Sequence, residues 1–374
     1  MLKVLFVTGA HHEPYMVNFN HYQRVYFLSR QAELTVYGKR GSSFSVSANE
    51  GTKIVNAPFK DKLGMIISCL LWLSVERRSE RFDIVLTEPS KLCICGLFAK
   101  FLFGAKWVVD VWDIPFRCRS KRLWRKCICR IDRRLARYLF KFADLFILSI
   151  LPDLEFKEFR VPREKMLLLK NAIWLDRLSS DLKRDGYSRD GTFDILCMRS
   201  RFSQDGGLDV LAKAFEIIDK SCDGLELNIV GKIPKVIWHQ VEPLRRHNNV
   251  HFWDFVEHDE LLQMIAVSAA CVVPFRKTPD LSQTFPIKVL EYLSLGAVVV
   301  AADLPGTASM IKHGENGLLF QPGNAMDLAE KLRMVYEKRE LSEAISSKAR
   351  ALDGEYDCRK KAEVILNTLT KLAG

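Results

Sequence analysis

The chain has 374 residues, of which 56 are Lys or Arg and 45 Asp or Glu, for a net charge of +11, and 48% are hydrophobic. That length exceeds the size at which one core keeps growing, so two domains are expected, and with no low-complexity stretch or internal repeat the chain is neither disordered nor a solenoid. The longest apolar runs, Leu63–Val75 and Leu92–Gly104, are about 13 residues each against the roughly 20 a bilayer-spanning helix needs.

In chain order, "MLKVLFVTG" lacks the apolar core and cleavage site of a secretory signal and reads as a first β-strand, so a cytoplasmic chain is expected. "KVLFVTG" (3–9), "AELTVYG" (32–38), "FDIVLTE" (82–88), "KWVVDVWD" (106–113) and "ADLFILS" (143–149) are strand-like, with helix-like stretches between most of them. That is the β-α-β rhythm of a doubly wound sheet. Residues 170–192 are polar, Asp-rich and Gly-bearing, an expected interdomain connection. The rhythm restarts with "FDILCMRS" (193–200), "LELNIVG" (225–231), "VHFWDFV" (250–256), "ACVVPF" (270–275) and "AVVVAAD" (297–303). Two tandem Rossmann-like α/β domains facing across a cleft are expected. Their bounds are 1–175 and 176–355, with a C-terminal helix at 356–374 for which the N-domain is one place to return to.

The basic character belongs to the first half: residues 1–175 carry a net +14 and the remainder a net −3. Much of it lies in Arg117–Lys141, with eleven basic residues and one acid interleaved with Leu123, Trp124, Ile128, Ile131, Leu135, Tyr138 and Leu139. Spacings near three and four predict a cationic amphipathic helix or helix pair. An anionic membrane surface is the first reading, each Lys or Arg near the headgroups contributing about 1 kcal/mol. A solvated domain face is the second, disfavoured by the nearly single-sign charge. Nucleic acid comes last, since no recognition-helix, RRM or zinc-finger signature accompanies the patch. The ten cysteines include only the close pairs Cys93/Cys95 and Cys127/Cys129, which give no zinc frame and read as reduced, structural thiols.

The stretch "FPIKVLEYLSLGAVVVAADLPG" (285–306) joins a charged helix, a glycine turn and an apolar strand. Pro286 suits a first helical turn, with Ser282 or Thr284 to cap it, and the helix is expected to stop at Gly296. The all-apolar run after it fits a parallel strand covered on both faces. Ligands in open α/β sheets sit beyond the carboxyl ends of strands, where helix N-termini offer free N–H groups. The loop "RKTPDLSQT" (276–284) and the helix after it would hold an anion there, most simply a phosphate.

From Phe285 to Leu332 the sequence resembles the donor-binding region of GT-B glycosyltransferases, most closely family 4. "KNAI" (170–173), "RFSQDGGLDVLAKAF" (201–215) and "LELNIVG" (225–231) support the resemblance, and "KVLFVTG" with "WVVDVWDIP" (107–115) extends it thinly into the N-terminal half. The resemblance implies that Arg201 binds the donor diphosphate, a role suited to a planar, permanently charged fork. Glu291 would accept hydrogen bonds from the ribose hydroxyls, Gly231 at the end of "LELNIVG" would be among the donor-binding positions, and the N–H groups around Thr284 and Phe285 would meet the distal phosphate. Three positions depart from the family pattern. Gln283 stands at the first position of its glutamate pair, Gly206 at its loop lysine, and Trp112 at the histidine of its N-domain strand end. Asp113 remains beside Trp112 to order the acceptor hydroxyl or donor sugar. On charge balance Lys288, one turn before Glu291, supplies the cation missing at 206. His11 and His12 line the same mouth or are merely exposed.

The implied activity is transfer of a sugar from a nucleoside-diphosphate donor, UDP or GDP unresolved, to a hydroxyl, with retention at the anomeric carbon. Arg201, Lys288 and the helix dipole would meet the charge on the leaving diphosphate. The sequence contains no Asp-x-Asp, so metal-independent chemistry with no further cofactor is expected. The implied acceptor is a lipid-linked or cell-surface glycan precursor in polysaccharide assembly, with the basic segment holding the enzyme on the inner face of the membrane. The alternative is a basic nucleic-acid- or membrane-binding protein on an inactive GT-B scaffold. No G-x-G-x-x-G follows any strand and no Walker lysine motif is present, which argues against a nicotinamide oxidoreductase and an ATPase.

Overall fold

The computed structural model describes residues 1–9, 20–39, 48–59, 61–76, 80–112, 122–152, 157–175, 192–351, 354 and 356–374. They divide into two units, Met1–Ala172 with Asp357–Gly374, and Ile173–Tyr356.

The first unit contains strands β1 (Lys3–Thr8), β2 (Glu33–Gly38), β3 (Lys53–Asn56), β4 (Ile84–Thr87), β5 (Lys106–Val111), β6 (Leu145–Leu148) and β7 (Met166–Leu168). They form one parallel sheet in the order β3-β2-β1-β4-β5-β6-β7. Its helices are α1 (Asn20–Gln31), α2 (Lys62–Glu76), α3 (Cys93–Phe103) and α4 (Leu123–Leu139), joined by α12 (Cys358–Ala373) from the chain end. Successive side chains of a strand point to opposite faces, and the packing follows that alternation. Val4, Phe6, Val36 and Ile84 bury against Val25 and Leu28 of α1 and Ile365 and Leu369 of α12. Leu5, Val7 and Val85 face Met65, Cys69 and Leu73 of α2 and Cys95 and Ala99 of α3. Trp107, Val109 and Phe146 continue that second face to Ala136 and Leu139 of α4. Helices α2, α3 and α4 thus form one layer, and α1 and α12 the other. Under the second layer lies an ion pair with both partners out of water: Arg24 Nε donates to Asp110 at 2.9 Å, and Lys361 of α12 is buried next to it.

The second unit contains β8 (Phe193–Arg201), β9 (Leu225–Lys232), β10 (Val250–Trp253), β11 (Ala270–Val273), β12 (Val298–Ala302) and β13 (Leu318–Phe320). This sheet is also parallel, in the order β10-β9-β8-β11-β12-β13. The helices are α5 (Leu208–Ile218), α6 (His258–Val267), α7 (Pro279–Gln283), α8 (Ile287–Ser294), α9 (Pro305–Ala308), α10 (Ala325–Glu337) and α11 (Arg339–Arg350). Strand β12 is buried along its whole length, as a strand covered on both faces must be. Helix α8 ends as expected at Gly296, whose φ of +72° needs a glycine. The Gly296 and Ala297 N–H groups bond back to the Leu293 and Tyr292 carbonyls at 2.8 and 2.9 Å.

Both doubly wound sheets were expected, whereas β3, β7 and β13 were not, being three or four residues long at sheet edges. The helix start differs too. The loop 276–284 contains α7, capped by Thr278, whose hydroxyl accepts from the Leu281 N–H at 3.3 Å. Neither Ser282 nor Thr284 caps α8: both belong to the α7 segment, and Pro286 itself occupies the cap position, with no side-chain cap.

Candidate active site

Most of the expected donor residues gather at the carboxyl ends of β8, β9 and β11 and on the α7–α8 segment. Strand β8 is irregular between Met198 and Arg201, and the neighbouring glycine explains why. Gly231 on β9 has a φ of +126°, and a Cβ there would lie 1.6 Å from the Arg199 carbonyl oxygen. The two backbones can approach so closely only because residue 231 has no side chain. Helix α8 grips the same place. The Lys288 ammonium donates to the Met198 carbonyl at 2.5 Å, and the Tyr292 hydroxyl accepts from the Met198 N–H at 3.3 Å. One turn apart on α8, the two side chains satisfy both backbone groups of the residue where the ladder breaks.

Lys288 keeps part of its stem in water while its ammonium is enclosed. Burial lowers that ammonium to about 7, the charge of Arg199 adds to the effect, and Cys197 and Glu291 oppose it. Burial also pushes the Cys197 thiol up to about 11, against the nearby Lys288 and Arg199. Both cations lie over the Phe275 ring, Arg199 at 5.1 Å and Lys288 at 5.3 Å from its centroid. Glu291, which on sequence grounds could have been a helix-surface acid, is buried. Gln283 is buried as well. Its amide nitrogen donates to the Pro279 carbonyl at 2.8 Å, and among the described residues its Oε1 has no partner. Phe285 is buried, and the Thr284 carbonyl packs so tightly against Gly306 that a Cβ there would be 2.0 Å away. Arg201 stands exposed at the end of β8. Asp113, His11 and His12 lie outside the described residues.

Arg199 was missed in the sequence. Its guanidinium nitrogen lies 3.2 Å from the position a Cβ would take at Gly206, so it fills the space in front of the residue that replaces the family lysine. A second arginine two positions before Arg201, paired with a glycine where a lysine was expected, was the available signal. The cation assigned to Lys288 alone is therefore shared: Arg199 lies in front of position 206, while Lys288 is turned toward the β8 backbone.

The family described as glycosyl transferases group 1 matches residues 179–352. The match spans just under half of the chain. Sulfoquinovosyl transferase SQD2 of Arabidopsis thaliana is 35% identical over 119 residues, covering 31% of this chain and 22% of that protein. D-rhamnosyltransferase WbpZ of Pseudomonas aeruginosa is 25% identical over 179 residues, covering 46% of each. The chain spans between 18% and 46% of the length of the curated relatives it matches. Anabaena HepE (Alr3699), solved in complex with UDP and glucose, superposes with a TM-score of 0.75 at 18% identity, covering 99% of this chain and 100% of that one. The two sheets of the chain are those of the GT-B fold. The matched residues fall within the second unit, which holds the whole cluster from Arg199 to Glu291.

Proposed function

We propose that the chain transfers a glycosyl group from a nucleoside-diphosphate sugar to a hydroxyl, with the donor held by the group 1 domain. The observation that carries this reading is the cluster at the carboxyl ends of β8 and β9: Arg199 and Lys288 beside Phe275, with Glu291 acting on Lys288 and Gln283 buried on α7. The bond between the anomeric carbon and the diphosphate oxygen breaks, a bond from that carbon to the acceptor oxygen forms, and the acceptor gives up its proton. Negative charge grows on the leaving diphosphate, where Arg201, Arg199 and a protonated Lys288 stabilise it without a metal ion. Glu291 accepts from the ribose hydroxyls. The free Oε1 of Gln283 accepts from a donor hydroxyl, replacing a carboxylate with a neutral acceptor. We assign Asp113 to the acceptor hydroxyl, retention to the stereochemistry, and a lipid-linked or cell-surface glycan precursor to the acceptor. Helix α4 then keeps the enzyme on an anionic membrane face.

Thermal shift against UDP, GDP, ADP, CMP and dTDP in the presence of EDTA tests the reading, with Arg201→Ala and Arg199→Ala alongside. Stabilisation by one nucleotide, lost in both variants, is expected. No stabilisation by any of them, with salt-sensitive binding to nucleic acid instead, would favour the inactive scaffold.

A further inference from the structure

An amphipathic helix packed in the ordinary way turns its apolar side to the core. Helix α4 does not: of its residues only Ala136 and Leu139 are buried, while Trp124, Ile128, Ile131, Leu135 and Tyr138, which form one stripe at spacings of four and three, are exposed. The same outward display recurs two helices away. On α2, Met65, Ile66, Cys69 and Leu73 face the sheet, and Leu63, Ile67, Leu71 and Val75 form the opposite side, each with half or more of its surface in water. Between them, exposed Phe101 of α3 contacts Phe142 at 6.2 Å between ring centroids, and Phe142 contacts Tyr138 at 5.5 Å. The three helices form one layer of the first unit, so both stripes lie on the outer side of that layer, and the aromatic contacts join α3 to α4 there; so many large apolar side chains exposed on one layer mark an interaction surface.

A row of cations borders it. Arg130, Arg133, Arg134 and Arg137 line a groove along α4, in which Glu158 pairs with Arg133 and Arg137. No acidic partner neutralises Arg130 or Arg134 among the described residues. Helix α2 has 15 residues, and no described helix is long and apolar enough to cross a membrane, so an apolar face of this kind lies in an interface instead of spanning it. A symmetric contact between two copies through this face would bring these arginines toward their own kind, whereas the anionic headgroups of a bilayer neutralise them.

We propose that the α2–α3–α4 face docks on the anionic leaflet of a phospholipid bilayer, with the α2 stripe, Phe101 and the α4 stripe entering the headgroup layer and the arginines binding lipid phosphates. This rests on the peripheral-membrane part of the function proposed above and adds α2, which lies outside the basic segment, as an inserting element. It does not depend on the donor.

The test is flotation of the full chain with phosphatidylcholine vesicles, with and without a minor share of phosphatidylglycerol, for wild type, Ile67→Ser/Leu71→Ser and Arg130→Ser/Arg134→Ser. All four altered side chains are exposed, and unchanged far-UV circular dichroism and melting temperature confirm the fold. Wild type is expected to float only with the anionic vesicles. The arginine variant is expected to bind roughly 30-fold more weakly at low salt. The α2 variant is expected to keep the salt-sensitive encounter but lose at least about tenfold in affinity, the loss being greatest at high salt. Equal binding to neutral vesicles, an α2 variant that binds like wild type, or a wild type that dimerises through this face without binding vesicles would each overturn the proposal. Nucleotide thermal shift on the same preparations, without vesicles, reports the donor reading separately.

Discussion

Gly231→Ala isolates the contact on which the geometry of β8 depends. The new Cβ would lie 1.6 Å from the Arg199 carbonyl oxygen and 2.7 Å from its carbon, at a φ of +126°. Holding an L residue at positive φ costs about 1–3 kcal/mol. Separating the strands to relieve the clash adds about 1–3 kcal/mol, as overpacking does, and strains the 2.9 Å bond from the Phe202 N–H to the Lys232 carbonyl. The expected loss is about 2–6 kcal/mol, reaching the upper end for single substitutions. Gly314→Ala is the control: its φ is +77° and nothing lies within 4 Å of the added Cβ, so only the backbone part, about 1–2 kcal/mol, remains. Urea denaturation of both variants gives the difference, and nucleotide titration of Gly231→Ala should show weakened binding because Arg199 and Arg201 sit on the displaced strand. If the two variants differ by less than about 0.5 kcal/mol, the inferred approach of β9 to β8 is wrong.

Other outcomes follow from the same geometry. Burial lowers Lys288 from 10.5 to about 7, so below pH 7 folded and unfolded chains both hold the proton and the burial cost is fully present. Above it the unfolded chain binds more protons and stability rises with pH. Lys288→Met should therefore outlast wild type in urea at about pH 6, with a margin that shrinks steadily as pH rises from about 7 toward 10.5, and a margin that grows with pH would contradict the burial. Tyr292→Phe removes the acceptor of the buried Met198 N–H and should cost about 1 kcal/mol in the same denaturation assay. Asp110→Ala leaves Arg24 and Lys361 buried without their carboxylate, for an expected loss of about 3–5 kcal/mol measured by thermal unfolding. A near-neutral result there would mean that water reaches the pair.

What was legible in the sequence was the part written in periodicity and in backbone punctuation. Runs such as "KVLFVTG" and "AVVVAA" give away buried parallel strands, and Gly296 marks its turn because few other residues adopt that φ. The edge strands β3, β7 and β13 are too short to leave a pattern. Helix α7 was hidden because five residues beginning at Pro279 look like a loop until Thr278 is seen to cap them. In the site, the motif match pointed to Glu291 and charge balance to Lys288, whereas Arg199 depends on a relation that no linear motif encodes. It occupies space vacated at Gly206, on a strand whose register shifts because of Gly231. The direction of the α4 stripe was equally invisible, since spacing gives an apolar side without saying whether core or solvent receives it.

Helix α12 covers the first unit but is synthesised after the whole of the second. While the ribosome adds Ile173–Tyr356, roughly 10 to 40 seconds at ordinary elongation rates, Val25 and Leu28 lack the partners that Ile365 and Leu369 later provide, and one side of the Arg24–Asp110 pair stays uncovered. The usual order of synthesis, first domain folded first, is reversed for this layer: the second unit can be complete while the N-terminal unit is still waiting for its lid.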